Sequence, residues 1–225
     1  MAVGKAGQIA GGAVAAVVLA LVLAQILIPK IAASSISSKL GRYGRVQSVS
    51  VSAWPAVKLL WGSADSVNVR MRTLAVSTHQ AASLVWEGRD AGELQFSASS
   101  AKVGPLGLAQ VVLGKHGDKL TAQADASAAA IGAALPPGVS VALVRSEGGS
   151  VEVKASGGLF GVSASIDAVA GPQEGSLVAR PLGVLLSGFQ LRLFADPHVY
   201  VEGVAASPLA AEAGSYALEM SARLR

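Results

Sequence analysis

Three histidines are the chain's natural candidates for carrying protons or binding a metal, and His79, His116 and His198 stand far apart in the sequence. None has the H-E-x-x-H or H-x-E spacing that would set ligands and a general base side by side. Asp196 and His198 are close in "ADPHVY", but the proline between them reads as a turn at a strand entry. "GKHGDK" around His116 likewise reads as a polar turn, and Glu87, Asp90 and Glu93 read as the solvating charges of a glycine-bearing loop. Serines are abundant, yet "GVSAS" lacks the second glycine of a G-x-S-x-G nucleophile elbow. Gly148-Gly149 and Gly157-Gly158 read as hairpin turns, because no P-loop lysine follows either pair. The absence of cysteine excludes disulfides, thiolate metal sites, cysteine nucleophiles and lipoprotein acylation. The expectation is a protein without enzymatic activity, metal or cofactor.

With no catalytic set to position, the elements themselves carry the information. Hydrophobic residues make up 52% of the chain and charged residues only 14%, against roughly 25% charge in ordinary soluble domains. Ile9 to Ile28, "IAGGAVAAVVLALVLAQILI", is apolar apart from Gln25 and its glycines. As a helix, some twenty residues span about 30 Å, the thickness of a bilayer core. Val22 and Ala24 resemble the small-residue positions of a signal-peptidase site. The apolar run nevertheless exceeds a signal-peptide core, which favours an uncleaved anchor. Residues 1–29 are thus read as a transmembrane anchor or signal segment, and 30–225 as a single β-rich domain.

Only Lys5 and the amino terminus precede the segment, while Lys30, Lys39, Arg42 and Arg45 follow it. Counted over those flanks, the positive-inside rule places the domain in the cytoplasm. A short tail before a first apolar segment instead looks like a signal-anchor with an exported body. Gly7 and Gly11 form a G-x-x-x-G that would allow two anchors to pack into a homodimer, although small residues are common in any membrane helix. The net charge of +4 is scattered and aromatics are few, which excludes a nucleic-acid-binding stripe.

Beyond the anchor, Ala32, Ile36 and Leu40 share one i, i+4 row and predict a short helix that ends at "GRYGR". Period-two alternation predicts strands at Ser48–Ala53 and Val67–Arg72, with further strands to the end of the chain, about ten in all. His79–Ser83 reads as a polar turn and "PLGLAQVVL" from Pro105 as a helix. Asp125 or Ser127 is expected to cap a helix running to Leu135. The spacing argues for an antiparallel sheet rather than βαβ units. The strand faces are rich in Ala, Val and Leu, which implies either a tight core or an interior with room to spare.

One connection departs from the pattern. Loops are normally polar, yet between the first two strands lie Trp54-Pro55, then Ala56, Val57, Lys58, Leu59, Leu60 and Trp61. The order "KLGRYGRVQSVSVSAWPAVKLLWGSADSVNVRMR", followed by "ADASAAAIGAALPPGVSVAL", a glycine-turned hairpin and "GSLVARP", resembles the LmeA-like phospholipid-binding family of bacterial envelope proteins. The likeness covers most of the chain after residue 30 by pattern and order. It implies export across the cytoplasmic membrane, binding of phospholipid or of the bilayer, and a curved antiparallel sheet wrapped around a short helix, similar to tubular lipid-binding folds. On orientation it outweighs the flank count. Trp54, Val57, Lys58, Leu59, Leu60 and Trp61 are then expected to form the lip of a lipid pocket or a segment dipping into the bilayer, since tryptophan prefers the headgroup boundary and lysine can reach toward phosphate. The alternatives are that these residues plug one end of the core, and that the protein is a structural or assembly component of the envelope with a filled sheet.

Overall fold

The computed structural model describes residues 25–159, 162–183, 189–210 and 212–225. Most of the apolar segment, the Gly7/Gly11 pair, Val22 and Ala24 lie outside the described residues, as does Phe160. Among the described residues no helix is long and apolar enough to cross a membrane.

The chain is mostly β. Strands β1 (Gly44–Ser52), β2 (Ala64–Val76), β3 (Ala91–Val103), β4 (Leu106–His116) and β5 (Lys119–Ala126) begin the larger sheet. A smaller sheet follows with β6 (Val139–Glu147), β7 (Ser150–Leu159), β8 (Val162–Gln173), β9 (Ser176–Pro181) and β10 (Leu191–Phe194). Finally β11 (Val199–Pro208) and β12 (Tyr216–Leu224) return to the first sheet. The larger sheet has the order β1-β2-β3-β4-β5-β12-β11, the smaller β10-β9-β8-β7-β6. Among the described residues there are twelve strands, against the roughly ten expected. Three α-helices among the described residues accompany them: α1 over residues 25–40, α2 (Thr78–Glu87) and α3 (Ala128–Ala134).

The helix expected from the Ala32/Ile36/Leu40 row is α1. Leu40 is buried and Ile36 packs beside it, and the helix ends where the Gly41 amide donates to Ser37 O at 2.9 Å. Ser127 caps α3 by accepting from Ala130 N at 3.1 Å. Two expectations about helices fail. The segment read as a turn at His79–Ser83 is the first half of α2, closed by a capping box in which Ser77 Oγ accepts from Gln80 N and Gln80 Oε1 from Ser77 N. "PLGLAQVVL" is not a helix but most of β4, entered through a two-residue turn in which Gly104 takes φ +59, as the first position of a type II′ hairpin requires.

The missed helix also changes the topology. β2 and β3 pair in parallel, Val67 opposite Leu94 and Val69 opposite Phe96, and α2 supplies the crossover that parallel neighbours need. All other neighbouring pairs among the described strands are antiparallel. Gly148-Gly149 is a hairpin turn as expected, with φ +59 and +75. Gly157-Gly158 is not, because β7 runs on through both and pairs them with Ala164 and Ser163.

Both described hydrophobic clusters lie on the helix-bearing face of the larger sheet. One joins Leu40 and Ile36 of α1 to Val69, Met71 and Ala98, with Leu84 of α2 against it. The other joins Ala82, Val85 and Trp86 of α2 to Leu120, Val199, Ala222 and Leu224. Met71 is only 1% exposed, so truncating it to alanine would cost on the order of 2–5 kcal/mol. The two sheets meet at β11. Its Val201 and Val204 amides donate to Gly175 O (2.8 Å) and Gly149 O (2.9 Å), turn glycines of the β8–β9 and β6–β7 hairpins of the smaller sheet.

Candidate functional site

The apolar connection is a 3-10 turn, Ala56–Trp61, between β1 and β2. Ala53 and Ala56 anchor it at 6% and 2% exposure, and Gly62 at φ +79 ends it with its amide donating to Leu59 O at 3.1 Å. Two side chains hold the entry. Gln25 of α1 donates from Nε2 to Ala53 O (3.0 Å) and accepts at Oε1 from Ala56 N (2.8 Å), so the only amide in the apolar segment clamps both sides of Trp54-Pro55. Asp65 accepts from Trp54 N through Oδ2 (2.5 Å) and from Lys58 Nζ through Oδ1 (3.3 Å). These bonds, that to the Trp54 amide first and that to Lys58 next, hold the Asp65 carboxyl below its ordinary value.

With the backbone so pinned, the large side chains point outward. Trp54 is 73%, Trp61 77%, Leu60 68% and Val57 39% exposed. Leu59 is half-buried, and the Lys58 ammonium is engaged by Asp65 rather than free. Beside the clamp, α1 exposes Ile26, Leu27 and Ile31. Of the six residues picked from sequence, four thus form an exposed apolar cap. The reading that they plug the core does not describe those four. Arg70 and Arg72 are exposed on β2, on the face opposite Met71.

A second apolar surface belongs to the smaller sheet. Its register places Val141 beside Ala155 and Ala155 beside Ile166, and Leu143 beside Val153 and Val153 beside Ala168. Partners directly opposite in a ladder share a face. That face also carries Ala170, Ala179 and Leu191. Val151, opposite Ala170 on the same face, is buried, whereas the others are not, and Leu191 is 64% exposed. Of the smaller sheet only Phe194 joins a described hydrophobic cluster.

Two cavities among the described residues lie elsewhere and are open to solvent. One, of about 380 Å³, sits on the outer face of the larger sheet between Asn68, Arg70, Gln95 and Gln123. The other, of about 290 Å³, lies between Glu174, Asp196, Tyr200 and Arg225. Neither is an enclosed apolar chamber.

The fold does unite two of the three histidines. His198 Nδ1 lies 3.3 Å from Asp196 Oδ1 and His79 Nδ1 3.7 Å from Asp196 Oδ2, with the Asp196 side chain only 4% exposed. His198 also stacks on Trp86, with ring centroids 4.2 Å apart. His79 comes from α2 and Asp196 from the β10–β11 turn, so apart from Asp196-x-His198 no spacing announced the group. His116 is apart, at the end of β4. Among the described residues no group of three or more His, Asp or Glu side chains is arranged to hold a metal.

Compared with known proteins, the chain matches no family model, no curated protein and no solved structure. What it can do is therefore read from its own geometry.

Proposed function

We propose that this is a membrane-anchored, non-enzymatic phospholipid-binding protein of the cell envelope, with residues 30–225 on the extracytoplasmic side. The observation that carries the reading is the Gln25 clamp. It ties the exposed Trp54, Val57, Leu60 and Trp61 to the helix that issues from the apolar segment. A cap held there sits where a bilayer would begin if residues 9–28 span it. Burying three large apolar side chains at about 1.5–3 kcal/mol each is enough for weak docking beside a covalent anchor. The partly exposed Val, Ala, Leu and Ile face of the smaller sheet is the surface on which acyl chains would lie, with the sheet curving about them as in tubular lipid-binding folds.

The test is tryptophan quenching in the full chain reconstituted into nanodiscs of brominated phosphatidylcholine, with native mass spectrometry of the same protein. Trp86, half-buried beside His198, serves as the internal reference. Strong quenching that disappears in Trp54→Phe/Trp61→Phe, together with phospholipid adducts, supports the reading. Unquenched tryptophans and a lipid-free protein would overturn it in favour of an envelope assembly protein.

A further inference from the structure

The outer face of the larger sheet bears two unbroken cross-strand rows. One runs Ser50, Asn68, Gln95, Gly114, Thr121, Ser221, and the other Ser48, Arg70, Ser97, Val112, Gln123, Glu219. Solvated sheet faces are usually furnished with long charged side chains. Here hydroxyls and carboxamides dominate the centre, and Gly114 leaves a dip of about 380 Å³ between them. The carboxamides are oriented by one another: Asn68 Nδ2 donates to Gln95 Oε1 at 3.3 Å, Gln95 Nε2 to Glu93 Oε1 at 3.2 Å, and Gln123 Nε2 to Glu219 Oε1 at 3.4 Å. Each such amide keeps further donor or acceptor capacity for a ligand.

We infer that this groove is a saccharide-binding site. A sugar hydroxyl both donates and accepts, as do the carboxamides and the Ser97 and Thr121 hydroxyls that meet it. Val112, 50% exposed on the floor, offers an apolar patch for the C–H face of a pyranose ring. Arg70 is the one charged residue that lines the groove, and the remaining polar groups there are neutral hydroxyls and carboxamides, which favours a neutral sugar over phosphate or another compact anion. The inference rests on this sheet face alone and stands or falls independently of lipid binding.

The test is isothermal titration of the full chain in phosphatidylcholine nanodiscs with maltose, cellobiose and diacetylchitobiose. Nanodiscs doped with glucosyl-diacylglycerol form a second arm and sodium sulfate a third. Backbone amide shifts map the response. Saturable shifts at Asn68, Gly114, Thr121 and Gln123 with a disaccharide support a free glycan as ligand, and the same shifts only with the glycolipid support a sugar headgroup. In either case Asn68→Ala/Gln123→Ala should weaken binding at least about tenfold, through the loss of two hydrogen-bonding groups. Gly114→Ala, whose Cβ would stand 3.1 Å from Thr121 Oγ1, should block the dip in a protein whose circular dichroism is unchanged. A response to sulfate alone, or to none of the probes, overturns the inference.

Discussion

Replacing Gln25 with leucine keeps the bulk and helix propensity of α1 but deletes both bonds of the clamp. The Ala53 carbonyl and the Ala56 amide then lose their partner in a part-buried position. Each bond of this kind contributes about 0.5–1.5 kcal/mol net, so the turn loses about 1–3 kcal/mol of its local stability. At 1.4 kcal/mol per decade, the population with the turn open rises roughly five- to 150-fold. Ala56 is 2% exposed and its amide donates to no other group than Gln25, so its hydrogen exchange reads this opening directly. Exchange measured on the full chain in nanodiscs should show the Ala56 amide losing protection by that factor, while Val69 and Met71 in the core of β2 keep theirs. Gln25→Glu retains an acceptor for the Ala56 amide but sets an oxygen against Ala53 O, and should fall between the two. Protection at Ala56 that changes by less than about twofold in Gln25→Leu would refute the clamp, and with it the reason for placing the tryptophans beside the apolar segment.

Three further outcomes are expected. A carboxyl held below its ordinary value of 3.8, as Asp65 is, stabilises its surroundings above that value and ceases to do so as pH falls through its lower folded-state value. Tryptophan emission from the turn should therefore shift on acidification below about pH 4, and Asp65→Asn should show the acid-form emission at every pH. Lys115, 3% exposed with Nζ donating to Ala91 O, is lowered from 10.5 by burial, an effect that Asp90 and Asp118 oppose. The unfolded chain then binds this proton more readily, so stability rises as pH climbs toward the ordinary lysine value. Urea unfolding compared between wild type and Lys115→Met should show that component vanish in the variant. Gly175→Ala combines φ +79 with a collision against the Tyr200 ring, whereas Gly148→Ala has φ +59 and open space around it. Thermal unfolding should show Gly148→Ala costing about 1–2 kcal/mol and Gly175→Ala clearly more, because only at Gly175 would the added methyl collide with the Tyr200 ring.

Local features of the fold were legible wherever one short segment carried the whole cause. The row Ala32, Ile36, Leu40 marks α1, Ser127 marks the start of α3, and Gly148-Gly149 marks a hairpin. Ser77-x-x-Gln80 was an equally local signal for α2, but the polar His79, Gln80 and Ser83 masked the apolar stripe behind it. In "PLGLAQVVL" the apolar residues suit either period, and the pairing of β4 with β3 and β5 decides for strand. The parallel β2–β3 pair and the His79–Asp196–His198 group were out of reach, because they depend on segments meeting that carry no mark of each other. Gln25 was visible as the one polar interruption of an apolar run. Its partners lie 28 and 31 residues away, so its purpose was not. The exposed cap, by contrast, was already anomalous as a sequence, since an apolar connection between amphipathic strands contradicts the reason loops are polar.

The two sheets solve the same physical problem differently. A sheet with one apolar face must bury it against another layer. The larger sheet does so with α1 and α2, and its buried Met71, Val69, Leu120 and Leu224 are the result. In the smaller sheet the cover is less complete: β11 packs across its strands and Val151 is buried, but Val141, Leu143, Val153 and Ile166 share a face and remain partly exposed. Their small or branched side chains present a smooth apolar surface without the aromatic bulk that would close it from within. A phospholipid carrier and an assembly scaffold therefore part at this face. A carrier's cover exchanges with lipid, and the Val, Leu and Ile positions should lose exposure when phospholipid is added. A scaffold's cover is protein, and the same positions should be indifferent to lipid.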